Sequence, residues 1–226
     1  MTHSLLQRIP GDGWLALLGG GEFSFGETLE ADRAWLAKAP TGGIGFLPTA
    51  SGSDEYGGHF ADYLRESFDR EVATIPVYRK RDARRGKNLQ RIAGSSAVYL
   101  GGGVADDLME VLQEVSLAEA LRKKMDTEGV VVLIAAAAQT VGEVFRGLIG
   151  GNAIAGLGWL PGGVVETNFD PGHDRRLREL MSQNGVRWGL GLPAGSALLL
   201  GPEGAVESVG ISFLLADSDG DFTVLE

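Results

Sequence analysis

The chain has 226 residues, a formal net charge of −10 and no cysteine. The lack of cysteine excludes disulfide bonds, thiolate metal sites and a cysteine nucleophile, and the excess of acidic residues argues against nucleic-acid binding. With 44% hydrophobic residues and no apolar run near the ~20 residues that span a bilayer, the sequence predicts one domain over residues 1–226 of a cytoplasmic protein without membrane contact.

In the first part of the chain, short apolar runs alternate with amphipathic segments. Strands are predicted at Trp14–Leu18, Gly43–Leu47, Val72–Val77, Ala97–Leu100 and Val130–Ile134. Helices are predicted at Leu29–Lys38, Phe60–Phe68, the basic segment that ends at Ile92, about Ala105–Glu114, Leu117–Thr127 and about Gln139–Leu148. This alternation predicts a parallel sheet with helices on both faces. The last of these strands is the most apolar, so we expect it at the centre of the sheet.

The last third of the chain changes character. Short apolar runs predict strands at Gly156–Leu160, Val164–Glu166, Arg187–Leu192, Ala197–Leu200, Ala205–Val209, Ile211–Leu215 and Phe222–Leu225. A helix near Arg175–Met181 interrupts them. We therefore expect an α/β fold in which mixed or antiparallel strands extend a mostly parallel central sheet.

Two glycine runs, Gly19–Gly21 and Gly101–Gly103, each follow a predicted strand. Ligands of open α/β sheets bind beyond the carboxyl ends of the strands, where glycine runs could present N–H groups to an anion or oxyanion. The alternative is a tight strand-to-helix turn that needs no ligand. Asp106 and Asp107 follow the second run and suit the first turn of a helix better than they suit catalysis. Neither run fits a Walker or dinucleotide-binding pattern.

The most informative segment is the apolar run Val130–Ile134, which leads into the four alanines Ala135–Ala138. A hydrophobic strand that meets very small residues before a helix has the shape of a nucleophile elbow, because small side chains permit the sharp turn. A working elbow displays a hydroxyl or a thiol at its apex. Here the apex carries a methyl group.

Eight segments match the motifs of one family, in the same order and over nearly the whole chain. They are Leu15–Glu22, Phe46–Ser51, Tyr99–Val104, Gly156–Leu160, Val164–Phe169, Arg175–Leu180, Gly189–Leu200 and Val206–Gly210. Together they resemble the cyanophycinase and dipeptidase E family of serine peptidases (peptidase S51-like). The resemblance implies a fold like that of the class I glutamine amidotransferases.

The same resemblance assigns the family's motif positions to this chain. The family's elbow, Gly-Thr-Ser-Ala-Gly-Ala, places Ala135 at the nucleophile, and the histidine of its His-Phe pair corresponds to Asn168. The second residue of the Asp/Asn-Gln pair in the family's glycine turn corresponds to Val104, and the second residue of the family's acidic pair corresponds to Ala194. The resemblance therefore implies a catalytically degenerate member, because a methyl group cannot attack a carbonyl and an amide cannot relay a proton.

Our leading hypothesis is a non-catalytic homologue with a remnant pocket for a small ligand or a peptide end. Val104, Ala135, Asn168 and Ala194 would line that pocket. The residues expected to bind are Gly101, Gly102, Gly103, Ala135, Ala136 and Asn168. The protein could also act through contacts within a homo-oligomer.

The alternative is an active serine hydrolase with a relocated nucleophile. Its candidates are the nucleophiles Ser51, Ser53 and Ser196, the bases His59 and His173, and the acid Glu143. His173 is the most interesting base because it lies five residues after Asn168. The three histidines are far apart in sequence and lack carboxylates at ligand spacing, so we expect no metal site, and we expect no cofactor.

Overall fold

The computed structural model describes residues 5–51, 54–148 and 151–226. Five parallel strands form most of a seven-stranded sheet: β1 (Trp14–Leu18), β2 (Ile44–Leu47), β3 (Val72–Thr74), β4 (Ala97–Leu100) and β5 (Val130–Ile134). The antiparallel strands β10 (Ala197–Leu200) and β11 (Val206–Val209) extend this sheet beyond β1, which gives the order β11-β10-β1-β5-β4-β2-β3. The prediction that Val130–Ile134 is the central strand is confirmed.

Helices cover both faces of this sheet, as the alternating pattern predicts. They are α1 (Leu29–Lys38), α2 (Asp54–Phe68), α3 (Lys80–Ala83), α4 (Gly86–Gly94), α5 (Ala105–Leu112) and α6 (Val115–Asp126). Side chains alternate along each strand, so Leu15 and Leu17 pack into the core that α4, α5 and α6 share. Ala16 and Leu18 pack into the core under α1 and α2.

The remaining strands form two smaller sheets. A four-stranded sheet has the order β13-β12-β9-β8, with β8 (Gly163–Thr167), β9 (Trp188–Leu192), β12 (Ser212–Leu215) and β13 (Phe222–Leu225). Only β8 and β9 are parallel in it, and the helix α8 (Arg175–Met181) packs against both. The strands β6 (Val144–Arg146) and β7 (Ala153–Ala155) form an antiparallel pair. The expectation of mixed C-terminal strands is confirmed, although four of them form a separate sheet.

The prediction of a helix at Gln139–Leu148 is wrong. The helix α7 is short (Ala136–Gln139), and the chain continues through a turn into β6. Gly142 explains the difference, because a Cβ atom there would lie 2.7 Å from the carbonyl oxygen of Gly163. The backbone therefore packs tightly against β8 where a helix with side chains would not fit.

The segment Gly156–Leu160 is also not a strand. Its N–H groups donate hydrogen bonds to the carbonyl groups of Thr140, Val141, Gly142 and Glu143. Gly158 has a φ of 63°, which is outside the range of a regular strand. The predicted strand Val72–Val77 ends at Thr74, because Pro76 has no N–H group to continue the ladder.

Candidate functional site

Ala135 forms a sharp turn between β5 and α7. Its backbone has φ 51° and ψ −123°, a region that residues other than glycine rarely adopt. The N–H group of Ala135 donates to the carbonyl oxygen of Leu18 at 3.0 Å, and its own carbonyl accepts from the N–H group of Ala138 at 2.9 Å. Such a conformation costs on the order of 1–3 kcal/mol and persists only where the surroundings enforce it. Ala135 therefore has the strained strand-to-helix geometry of an elbow.

Asn168 is held at the carboxyl end of β1, next to the carbonyl group that holds Ala135. The N–H group of Asn168 donates to the carbonyl oxygen of Gly19 at 2.7 Å, one residue after the Leu18 carbonyl that holds Ala135. Its side chain lies against Gly20, where a Cβ atom would be 2.4 Å from the Asn168 Oδ1 atom. Two of the predicted site positions are therefore anchored at the same end of β1.

The turn that contains Ala194 packs against the same glycine run. The N–H group of Gly195 donates to the Gly20 carbonyl at 2.9 Å, and a Cβ atom at Gly19 would lie 2.0 Å from the Pro193 carbonyl oxygen. Gly19 and Gly20 are therefore needed for close packing, which favours the tight-turn interpretation of this run. Ala194 itself is exposed and lines a shallow groove of about 550 Å³.

The second glycine run approaches Ala135 from β4. A Cβ atom at Gly102 would lie 3.4 Å from the Ala135 Cβ atom. Gly103 has a φ of 145°, and a Cβ atom there would lie 2.1 Å from the Ala50 carbonyl oxygen. That carbonyl accepts the N–H group of Val104 at 3.0 Å. Close approach of the backbone therefore accounts for glycine at position 103, whatever the run binds.

Val104 lines a cavity of about 620 Å³ beyond the carboxyl ends of β2 and β4. Its other lining residues are Thr49, Ala50, Ser51, Tyr78, Arg79, Lys80, Arg81, Asp107, Glu110 and Val111. Sequence reasoning missed the segment Tyr78–Arg81 as part of a site. The available signal was its place after β3, which ends at the same edge of the sheet.

The candidate serines make hydrogen bonds with backbone groups. Ser196 is buried, and its hydroxyl donates to the Pro193 carbonyl at 2.8 Å. The Ser51 hydroxyl donates to the Pro48 carbonyl at 3.1 Å. Ser53 lies outside the described residues. The side chains of Ser196 and His173 are therefore not hydrogen-bonded to each other.

The candidate bases and the candidate acid lie apart from Ala135. The Nδ1 atom of His173 is 2.7 Å from an Oδ atom of Asp170, on an exposed 3₁₀ turn before α8. His59 lies on α2. An Oε atom of Glu143 accepts the N–H group of Gly162 at 2.8 Å, which fixes a loop. The hydrogen bonds of His173 and Glu143 are therefore made with Asp170 and Gly162 and not with the elbow.

Further polar groups lie next to this site. The Gln139 side chain donates to the Thr167 hydroxyl at 2.8 Å, which joins α7 to β8. Glu166 points to the face of β8 opposite to Thr167. Burial raises the pKa of Glu166, and the smaller opposing effects of Arg176 and Arg146 lower it. Among the described residues, no group of three or more histidine, aspartate or glutamate side chains is arranged to hold a metal ion.

A family model, Peptidase family S51, matches residues 15–206. The chain belongs to peptidase family S51. Two solved structures share this fold. One is a peptidase from an acI-B1 Actinobacterium, with 20% identity and a TM-score of 0.72; the match covers 95% of this chain and 94% of that chain. The other is a putative peptidase E protein from Listeria monocytogenes EGD-e, with 12% identity and a TM-score of 0.59; the match covers 88% of this chain and 98% of that chain. A search of curated proteins found no match. The predicted α/β class is confirmed, and no helix in the described part of the chain is long and apolar enough to cross a bilayer.

Proposed function

We propose that this chain is a non-catalytic S51 homologue that keeps a pocket beyond the carboxyl ends of β2 and β4 for a small ligand or a peptide end. One observation carries the proposal. Ala135 has the strained backbone of a nucleophile elbow, and its side chain offers only a methyl group at the apex. The turn is therefore present without a group that could attack a carbonyl carbon.

The neighbouring positions support the same proposal. Asn168 is held one residue away along β1, and its amide cannot take up and return a proton near neutral pH. Ala194, at the position of the acidic residue, carries no carboxylate. Removal of the nucleophile or the histidine from a serine hydrolase lowers the rate by about 10⁴–10⁶. Hydrolysis by the family's mechanism should therefore be absent.

The pocket that we propose is the cavity lined by Val104. Ala135, Asn168 and Ala194 are not among its lining residues, so it differs from the pocket of four residues that the sequence predicts. Its volume of about 620 Å³ is in the range of small-molecule sites, which is roughly 300–1,000 Å³. Ala50, Val104 and Val111 give it an apolar part, and Arg79 and Asp107 add opposite charges. A small ligand or a peptide end with both apolar and charged groups would suit this lining.

A fluorophosphonate probe, combined with an assay of aspartyl dipeptide cleavage, tests this proposal. The folded wild-type protein should not be labelled and should release no amino acid. The matched control is the triple variant Ala135→Ser, Asn168→His and Ala194→Glu, which restores the three side chains on the same backbone. Labelling of this variant would show that the probe reaches the elbow. Labelling of the wild type at Ser51 or Ser196, located by mass spectrometry, would contradict the proposal.

The second candidate function is a hydrolase with a relocated nucleophile. The observation that favours it is the His173–Asp170 contact of 2.7 Å, because a carboxylate that orients an imidazole is part of a catalytic triad. If this candidate were correct, the wild type would cleave an ester or peptide. His173→Ala and Ser196→Ala would then lower kcat by at least about 10³, whereas Asn168→Ala would leave it unchanged.

A further inference from the structure

The turn between α8 and β9 contains the only Asn-Gly pair in the sequence, Asn184-Gly185. Both residues are exposed, and they lie between the end of α8 at Met181 and the start of β9 at Trp188. An asparagine followed by glycine suits a tight turn, and the glycine has no side chain to shield the peptide group between the two residues. Neither residue lines the cavity beside Val104.

The backbone around this pair is open. Gly185 has a φ of 89°, and a Cβ atom there would have no neighbour within 4 Å. The turn is closed by the N–H group of Val186, which donates to the Gln183 carbonyl oxygen at 3.2 Å. Within the described part of the chain, neither the Gly185 N–H group nor the Asn184 side-chain amide forms a hydrogen bond. The Gly185 nitrogen is therefore free to react with the side chain that precedes it.

Each of the other three asparagines lacks this combination of features. The Asn88 side-chain amide is buried and donates to two backbone carbonyl groups, at 3.0 and 3.1 Å. Asn168 is exposed, but the N–H group of the next residue, Phe169, donates to a carbonyl group of β9 at 3.0 Å. Asn152 precedes Ala153, whose methyl group hinders approach to the peptide nitrogen.

We propose that Asn184 is a site of spontaneous deamidation. The Gly185 nitrogen attacks the Asn184 Cγ atom, so that a new C–N bond closes a succinimide ring and the bond from Cγ to the amide nitrogen breaks. The leaving amide group takes the proton of the Gly185 N–H group and departs as ammonia. A water molecule from the solvent then opens the ring at one of its two carbonyl groups, which gives aspartate or isoaspartate at this position.

The reaction would produce a more acidic form of the protein without an enzyme. Either product replaces a neutral amide by one carboxylate, so the formal net charge of −10 would fall by one unit to −11. Isoaspartate would also route the backbone through the former side chain and lengthen the turn between α8 and β9. Exposed turns of this kind are where a chain tolerates such changes best.

Peptide mapping of the full folded chain after incubation at physiological pH and temperature tests this proposal. Trypsin releases Asn184 in a peptide that contains no other asparagine, residues 179–187. Chromatography with mass spectrometry separates its amide, aspartyl and isoaspartyl forms, and a fresh sample digested in parallel gives the background. Asn184 should convert at least about tenfold faster than each of the other asparagines, because those must first break a hydrogen bond or pass a methyl group.

Three variants separate this reaction from general chemical ageing. Gly185→Ala should slow the conversion of Asn184 at least about fivefold, because its methyl group hinders the attacking nitrogen. Asn184→Gln keeps the amide and the charge but needs a larger ring, so the chain should stay unmodified at this position. Asn152→Gln, at another exposed asparagine, is the matched control and should leave the conversion of Asn184 unchanged.

The proposal is wrong if Asn184 stays an amide, or if it converts no faster than Asn168 in the same sample. It is also wrong if Gly185→Ala, shown to be folded by circular dichroism, converts as fast as the wild type, or if Asn184→Gln becomes acidic at the wild-type rate. No ligand or substrate is used in these experiments, so their result is independent of the proposed function.

Discussion

Replacement of Ala135 by glycine should stabilise the protein, although glycine usually destabilises folded structure. Ala135 occupies φ 51° and ψ −123°, and relief of such strain is worth on the order of 1–3 kcal/mol. Glycine adopts this region freely, since it has no Cβ atom. Two effects oppose the gain. Glycine gives the unfolded chain more conformational entropy, which costs roughly 0.5–1 kcal/mol. Loss of the half-buried alanine methyl group costs about 0.4 kcal/mol of hydrophobic burial.

The balance predicts a gain of about 1 kcal/mol in the free energy of unfolding for Ala135→Gly. For a chain of this size that gain corresponds to a rise in Tm of about 2–4 °C. Urea titration followed by tryptophan fluorescence measures it, with four tryptophans available as probes. Ala136→Gly is the matched control, because Ala136 is also half-buried but begins α7 with a helical backbone. It should destabilise by about 0.5–1 kcal/mol.

Equal destabilisation by Ala135→Gly and Ala136→Gly would refute the reasoning. It would mean that the backbone at residue 135 stores no strain, and the elbow geometry would then no longer support the proposed function. A gain confined to Ala135→Gly would instead show that the alanine at residue 135 is held in a strained conformation.

Three other substitutions test the surroundings of the site. Burial raises the pKa of Glu166, so its contribution to stability is complete at low pH and is lost as the pH rises through the folded-state pKa. In urea titrations, the stability of Glu166→Gln relative to the wild type should therefore increase between about pH 4 and about pH 8, and a constant difference would contradict this. Tyr78→Phe removes a buried hydroxyl that has no hydrogen-bond partner in the described part of the chain. Calorimetry should find this variant as stable as the wild type or about 1 kcal/mol more stable, and a loss of more than about 1 kcal/mol would show that the hydroxyl has a partner. Gly103→Ala places a methyl group 2.1 Å from the Ala50 carbonyl oxygen and should lower the free energy of unfolding by more than about 2 kcal/mol. The control Gly58→Ala, in open space on α2, should raise it by up to about 1 kcal/mol. The opposite order would refute the steric argument.

The sequence was sufficient for the main sheet because its strands are strongly apolar and regularly spaced. Apart from Val72–Val77, each run from Trp14–Leu18 to Val130–Ile134 is followed by glycine or other small residues and then by a helix, so pattern and chain order agree. The helix predicted at Gln139–Leu148 failed for a reason that lies far away in the sequence. Its backbone instead accepts hydrogen bonds from residues 156–160 and packs on Gly163, and neither contact leaves a local signal.

The candidate site was accessible from sequence only where a motif marks it. Ala135 could be located because four small residues follow a buried strand, and Asn168 could be located from the resemblance to the family. The segment Tyr78–Arg81 carries no motif. Parallel pairing of β2, β3 and β4 brings this segment to the cavity.

The contacts that hold the elbow explain how a chain of this family could lose its reactive side chains without losing its fold. Backbone hydrogen bonds to the Leu18 and Gly19 carbonyls position Ala135 and Asn168. The close packing of Gly19 and Gly20 against neighbouring atoms requires only the absence of a Cβ atom at those two positions. None of these interactions involves a catalytic hydroxyl, imidazole or carboxylate. Substitution of those groups therefore removes chemistry at little cost in stability, whereas substitution of the glycines should disturb the turns that shape the pocket.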